Sequence, residues 1–333
     1  MRTILFSLLM ILTSCARLPE FPVQGTFPGI NSELACQNSM SLLIIHGLGG
    51  YGENDPDALI HQIQKKLKLC KVSDDVVYEI VKEDALYGSL AYADYEGING
   101  SLRIYSLYWH DATELPRGML TNIDQQTSCY RIPLMNRLKE NYVDSAVADG
   151  LLYASSYRKV IQYPFEKTIE WIQAERPDDR IMVVGFSLGS TVLIETLDEM
   201  RNDIIAQNFI RQISEVFMLS NPAPLFDLAK LNCGNAEYDW QWHNWAVGRF
   251  VYEKRKSQPD FQIVAISDPN DALSYIVQDH YVPSECGWSN AFLNQKVRNV
   301  KWSFFGLINP ITAHTAYGQN KNVQDMIIYG RNR

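Results

Sequence analysis

The sequence predicts an α/β protein: a mostly parallel central sheet covered by helices on both faces, with an inserted helical cap. Two observations carry this. Short apolar runs alternate with helix-like segments along most of the chain, as expected when each strand crosses over through a helix to the next. Those runs are rich in Val, Ile and Leu without polar alternation, the pattern of strands buried on both sides. With 333 residues, 46% of them hydrophobic and 20% charged, the chain can bury one large core.

Five runs read as buried strands: Ser41–His46, Leu102–Trp109, Ile181–Gly185, Glu215–Ser220 and Gln262–Ser267. Val300–Phe305 reads as a sixth and Val76–Val81 as an added edge strand. Helical spacing joins Leu59, Ile63 and Leu67 on one face, after the start signal Asp55-Pro56. It also joins Val192, Leu193 and Leu197 after Ser187. Asn99-Gly100 marks a tight turn ahead of the strand at Leu102. Residues 110–165 break the rhythm between two core strands and are expected to form the cap. Residues 238–252, with Trp240, Trp242, Trp245, Phe250 and Tyr252, are a second aromatic segment, expected either to pack on the body or to meet acyl chains or a membrane surface.

The formal net charge of −8 and the lack of a basic stripe exclude a phosphate-backbone binder, so nucleic acid is not an expected partner. The short run Lys254-Arg255-Lys256 is expected to cap a solvated helix end. Arg2 followed by apolar Ile4–Leu12 has the layout of an export signal, too short to span a bilayer comfortably. Leu12-Thr13-Ser14-Cys15 resembles the lipobox of bacterial lipoproteins. That resemblance implies removal of residues 1–14, a lipidated Cys15, and an exported protein held on a membrane. With Ala16 following, it implies the outer membrane, facing the periplasm, in a Gram-negative cell. Loss of Arg2 would take the charge from −8 to −9, so acyl chains rather than surface charge would anchor the protein. Residues 15–38, with Pro19, Pro22 and Pro28, read as an extended linker to a body spanning 39–333. Five further cysteines allow at most two disulfides in an oxidising compartment, and none has metal-knuckle spacing.

The chemistry rests on four pieces. Gly185-Phe186-Ser187-Leu188-Gly189 follows an apolar strand and opens a helix. A serine on so sharp a turn needs tiny residues two positions before and after it, and the helix N-terminus behind it favours developing negative charge. His46-Gly47-Leu48-Gly49-Gly50 closes the strand Ser41–Ile45, and His46 itself is expected to support the turn. Asp268-Pro269-Asn270-Asp271 follows the strand Gln262–Ser267. Asp271 is the preferred acid because Asp268, just before proline, has the look of a turn former; Asp268 stays as the alternative. The stretch Asn309–Tyr317 carries His314, which alone of six histidines lies well after both Ser187 and the acid loop; His280 follows that loop too closely.

Together these pieces resemble the lipase and esterase branch of the α/β-hydrolase superfamily over residues 40–325, with Ser187, Asp271 and His314 in the chain order of that fold. The resemblance implies an oxyanion hole formed by the backbone N–H groups of Leu48 and Leu188. It implies a serine hydrolase that cleaves carboxylic esters, including lipids, through an acyl-enzyme, without metal or organic cofactor. An acyltransferase or amidase with the same triad, or a non-catalytic binding lipoprotein on this fold, are the alternatives.

Overall fold

The computed structural model describes residues 15–48, 56–126, 128–228, 245–277, 281, 288, 290–304 and 308–331. Its strands in chain order are β1 (Cys15–Arg17), β2 (Ser39–Ile45), β3 (Cys70–Lys71), β4 (Val76–Lys82), β5 (Ala85–Gly97), β6 (Gly100–Tyr108), β7 (Arg180–Phe186), β8 (Ile213–Leu219), β9 (Ile263–Ser267), β10 (Phe292–Lys296) and β11 (Trp302–Phe304). The main sheet runs β10-β9-β8-β7-β2-β6-β5-β3, with β4 also on β5. From β6 to β10 every neighbouring pair is parallel. The β5 pairings with β3, β4 and β6 are antiparallel.

Side chains alternate across the sheet. Leu43 and Ile45 of β2 and Val183 of β7 point into one core, packed by Ile161, Phe165 and Ile169 of the helix Arg158–Glu175 and by Val192 and Leu197 of the helix Leu188–Glu199. Leu42, Ile44, Met182 and Val184 enter the other, packed by Ile30 and Leu34 of the helix Ile30–Gln37, by Leu59 and Ile63 of Pro56–Leu67 and by Ile327 of Lys321–Tyr329. This two-layer burial explains why the central strands carry apolar residues at consecutive positions. The architecture is that of the α/β-hydrolases, with helical insertions.

Several elements depart from expectation. Residues 16–38 are not extended throughout: Ile30–Gln37 is a helix, held to the body because Phe27, Ile30 and Leu34 bury their side chains. The described part of the run 300–305 does not join the main sheet. Its core, β11, pairs antiparallel with β1, and the sheet position falls instead to β10, parallel to β9. Lys254 and Arg255 are buried rather than solvated; Lys254 Nζ donates to the Arg211 carbonyl at 2.9 Å and Arg255 Nε to that of Phe261 at 2.8 Å. Their polar ends are satisfied by backbone oxygens, so the long stems can pack inside. In the aromatic segment, Trp245 and Phe250 belong to the core, while Trp240 and Trp242 lie outside the described residues. Cys36, Cys70 and Cys129 are exposed free thiols; Cys233 and Cys286 lie outside the described residues.

Between β6 and β7 the chain is helical, as expected: Glu114–Gln125, Pro133–Leu138, a π-helical stretch Lys139–Val147, Ala148–Tyr153 and then Arg158–Glu175. Tyr153 fastens this insertion to the helix after Ser187, donating from its hydroxyl to Glu195 Oε2 at 2.6 Å. Its ring also meets Phe226 edge-on.

Candidate active site

Ser187 sits between β7 and the helix Leu188–Glu199 with φ 47° and ψ −127°, a conformation that non-glycine residues rarely hold and that costs about 1–3 kcal/mol. Its N–H donates to the Leu219 carbonyl at 2.7 Å, tying the turn to β8. The tightness explains the flanking glycines. A Cβ on Gly185 would come 2.4 Å from Ser190 Cβ, and one on Gly189 would come 2.3 Å from the His46 carbonyl oxygen. The same closeness brings the loop after β2 against the serine, since a Cβ on Gly47 would lie 2.9 Å from Ser187 Cβ. Leu48 is on that loop. Leu188 opens the helix, where the first N–H groups have no partner in their own helix.

His46 holds the loop. Its Nδ1 lies 2.7 Å from the Gly47 carbonyl, its Nε2 accepts from the Trp109 N–H at 2.9 Å, and the Trp109 indole donates to its carbonyl at 3.0 Å. One nitrogen donates and the other accepts, so the ring is neutral. Burial pushes its pKa down to about 4.

The other two sequence-predicted residues arrive from separate loops. Asp268 shapes the turn after β9: its Oδ1 accepts the Asn270 N–H at 2.9 Å, its carbonyl accepts the Asp271 N–H at 2.9 Å, and its Oδ2 accepts the Asn299 N–H at 2.7 Å. Asp271, three residues on, is the one that faces His314. His314 lies on the short helix Pro310–Thr315, which starts with a proline and is capped by the Asn309 side chain, the acceptor for Ile311 and Thr312 N–H. Asn299 Nδ2 donates to the Ala313 carbonyl at 2.7 Å and steadies that helix.

The structure brings Ser187, His314 and Asp271 into one chain of contacts. Ser187 Oγ is 3.3 Å from His314 Nε2, and His314 Nδ1 is 2.8 Å from Asp271 Oδ1. Two residues not singled out from sequence complete it. Ser220, at the end of β8, donates to Asp271 Oδ2 at 2.6 Å and sits 2.8 Å from His314 Nδ1; Tyr317 donates to Asp271 Oδ2 at 3.0 Å. The Leu273 N–H donates to Asp271 Oδ1 at 2.9 Å. Burial by itself would raise the Asp271 pKa, but hydrogen bonds from His314 and Ser220 and the charge of His314 outweigh it and hold the carboxyl below its ordinary range. Burial, reinforced by Asp271, pushes the Tyr317 hydroxyl well up, so it stays a donor. Tyr317 follows His314 by three residues, just past the end of its helix, a closeness visible in the sequence; nothing local marks Ser220.

Serine, imidazole and carboxylate so arranged can move a proton from hydroxyl to ring while the carboxylate stabilises the resulting cation. The fold and this constellation define an α/β-hydrolase architecture bearing a serine-hydrolase active site. No family model matches the chain, and no curated protein sequence does. Among solved structures it is similar to the NocB thioesterase domain in covalent complex with a fluorophosphonate nocardicin G analogue (11% identity, 84% of this chain and 92% of that one, TM-score 0.32). It is also similar to the esterase domain of a Rhodothermus marinus protein (8%, 95% and 99%, 0.34) and to Est1E from Butyrivibrio proteoclasticus (11%, 90% and 96%, 0.33).

Proposed function

We propose that the protein hydrolyses carboxylic esters with Ser187 as nucleophile, His314 as general base and Asp271 as the acid that orients and stabilises the imidazolium. The observation that carries this is the placement of Ser187 Oγ on His314 Nε2, while Nδ1 is engaged by Asp271. His314 takes the Ser187 proton as Oγ attacks the acyl carbonyl. The alcohol leaves with that proton, and water, activated by the same imidazole, releases the acid. The N–H groups of Leu48 and Leu188 receive the oxyanion, each typically worth about 3–4 kcal/mol. Ser220 also contacts His314, but at Nδ1, whose proton faces the carboxylate; a nucleophile there would have no free base.

The test is labelling with a fluorophosphonate probe, followed by peptide mapping. The label is expected on Ser187 and lost in Ser187→Ala. Label on the Ser220 peptide, or none on folded protein with or without detergent, overturns the assignment.

The finer reading is an acyl-lipid ester substrate and a lipid anchor on Cys15, placing the enzyme on the outer membrane facing the periplasm. Leu12-Thr13-Ser14-Cys15 supports the anchor. The exposed apolar side chains of the insertion, among them Leu115, Met119, Ile123 and Leu151, support an apolar substrate. No helix among the described residues is long and apolar enough to cross a membrane, so acyl chains would supply the hold. Incorporation of an alkynyl fatty acid that disappears in Cys15→Ala is the expected result. Incorporation that survives the substitution refutes the anchor.

A further inference from the structure

We propose that Ser220 is a positioning residue for His314: its hydroxyl bridges the acid and the base and locks the imidazole in the tautomer that presents Nε2 to Ser187. This deepens the reading of Ser187 as nucleophile and rests on it. Ser220 is held firmly. It follows β8 directly, is 2% exposed, and its N–H donates to the Ile266 carbonyl of β9 at 3.0 Å. It also keeps φ at 57°, the left-handed region that L-residues other than Asn and Asp seldom enter. A serine strained there, beside a buried carboxylate and a ring nitrogen, is not explained by core packing.

The proton count defines what it does. Ser220 has one O–H, and Asp271 Oδ2 accepts it at 2.6 Å. Its oxygen lone pairs then face His314 Nδ1 at 2.8 Å, and Asp271 Oδ1 faces the same nitrogen at 2.8 Å. Nδ1 is thus met by two acceptors and must carry the proton, which leaves the lone pair on Nε2, 3.3 Å from Ser187 Oγ. With the proton on Nε2 instead, Nδ1 would turn its lone pair on the carboxylate, and Ser220 could donate to the ring only by releasing Asp271. Among the described residues, the side chains hydrogen-bonded to Asp271 are His314, Ser220 and Tyr317. Tyr317 donates to Asp271 Oδ2 and accepts from the Asp268 N–H at 2.7 Å, so its hydroxyl holds the acid and the acid loop. Among the described residues, Ser220 is the side chain hydrogen-bonded to both the acid and the base. The negative end of its O–H dipole also faces the ring, which favours the imidazolium formed during attack.

Ser220→Ala removes the hydroxyl, and Ser220→Gly removes it while relieving the positive φ; the urea midpoint of each variant reports whether it is folded. Each is expected to lower kcat roughly 10- to 100-fold on a soluble ester at little-changed KM. The acidic limb of the kcat/KM profile is expected to move to lower pH, and fluorophosphonate is still expected to label Ser187, more slowly. An unchanged kcat and acidic limb in folded protein refutes the proposal. So does a loss of rate that only tracks the folded fraction with the limb in place. Failure of the underlying assignment looks different: wild-type protein would then carry the label elsewhere than on Ser187.

Discussion

Gly189→Ala tests whether the loop after β2 and the turn at Ser187 form one rigid unit. The added Cβ would lie 2.3 Å from the His46 carbonyl oxygen and 2.7 Å from Ile45 Cγ2, whereas ordinary contact begins at 3.4 Å. Either the loop or the helix must retreat by about 1 Å, and both are built into the core, since Ile45 and Leu188 are fully buried. Retreat of the loop would also stretch the bond from the Trp109 indole to that carbonyl, now 3.0 Å. Alanine gains about 1 kcal/mol over glycine in helix propensity, but overpacking costs about 1–3 kcal/mol. The expected net result is a stability loss of at most about 2 kcal/mol. The larger effect falls on rate. A displacement of about 1 Å between Ser187 and the Leu48 N–H is expected to lower kcat/KM by about 100-fold. Urea unfolding and hydrolysis of a short p-nitrophenyl ester measure the two. A variant with wild-type stability and wild-type kcat/KM would show that the loop yields freely and that the close approach has no part in building the site.

Ser187→Gly is expected to abolish hydrolysis yet to raise stability by about 1 kcal/mol, because glycine tolerates the φ of 47° that strains serine; a lower urea midpoint contradicts this. Acidification should weaken the fold through His46. Its folded pKa, about 4, lies below the ordinary 6.5, so the unfolded chain takes up the proton first. The stability it contributes is whole above pH 6.5 and falls by about 3 kcal/mol as pH drops to 4. His46→Gln should flatten that slope in pH-dependent unfolding, and an unaltered slope refutes the assignment. Tyr153→Phe deletes the donor to the buried Glu195 carboxylate at 2.6 Å and is expected to cost about 2 kcal/mol; an unchanged unfolding midpoint would show that the insertion is not fastened there.

The central strands were legible because burial on both faces leaves an unmistakable apolar run, as in Leu42–Ile45 and Ile181–Val184. The flanks were not. β5 contains Gly88, Ser89, Ala91 and Ala93, small residues that blur its alternation. β10 reads Phe-Leu-Asn-Gln-Lys, and as the outermost parallel strand it needs little apolar surface, so the more aromatic stretch around Trp302 looked the better strand. At the site, Ser187 announces itself through the glycines its turn requires. Asp271 and His314 are readable from their order and from the loops they follow. Ser220 is silent because its partners lie 51 and 94 residues away; a contact made wholly through tertiary structure leaves no local pattern.

The same distances bear on how the protein matures. Ser187 and His314 meet across 127 residues of chain, and His314 and Asp271 across 43, with the ends of β7, β8 and β9 each lending one side chain to the cluster. Contacts of such long sequence separation form late and slowly. Esterase turnover should therefore be the last signal to return after dilution from denaturant, behind helix content and tryptophan burial. Nascent chains that have not emerged past residue 314 should be inert toward ester, which would confine the acylating chemistry to finished molecules.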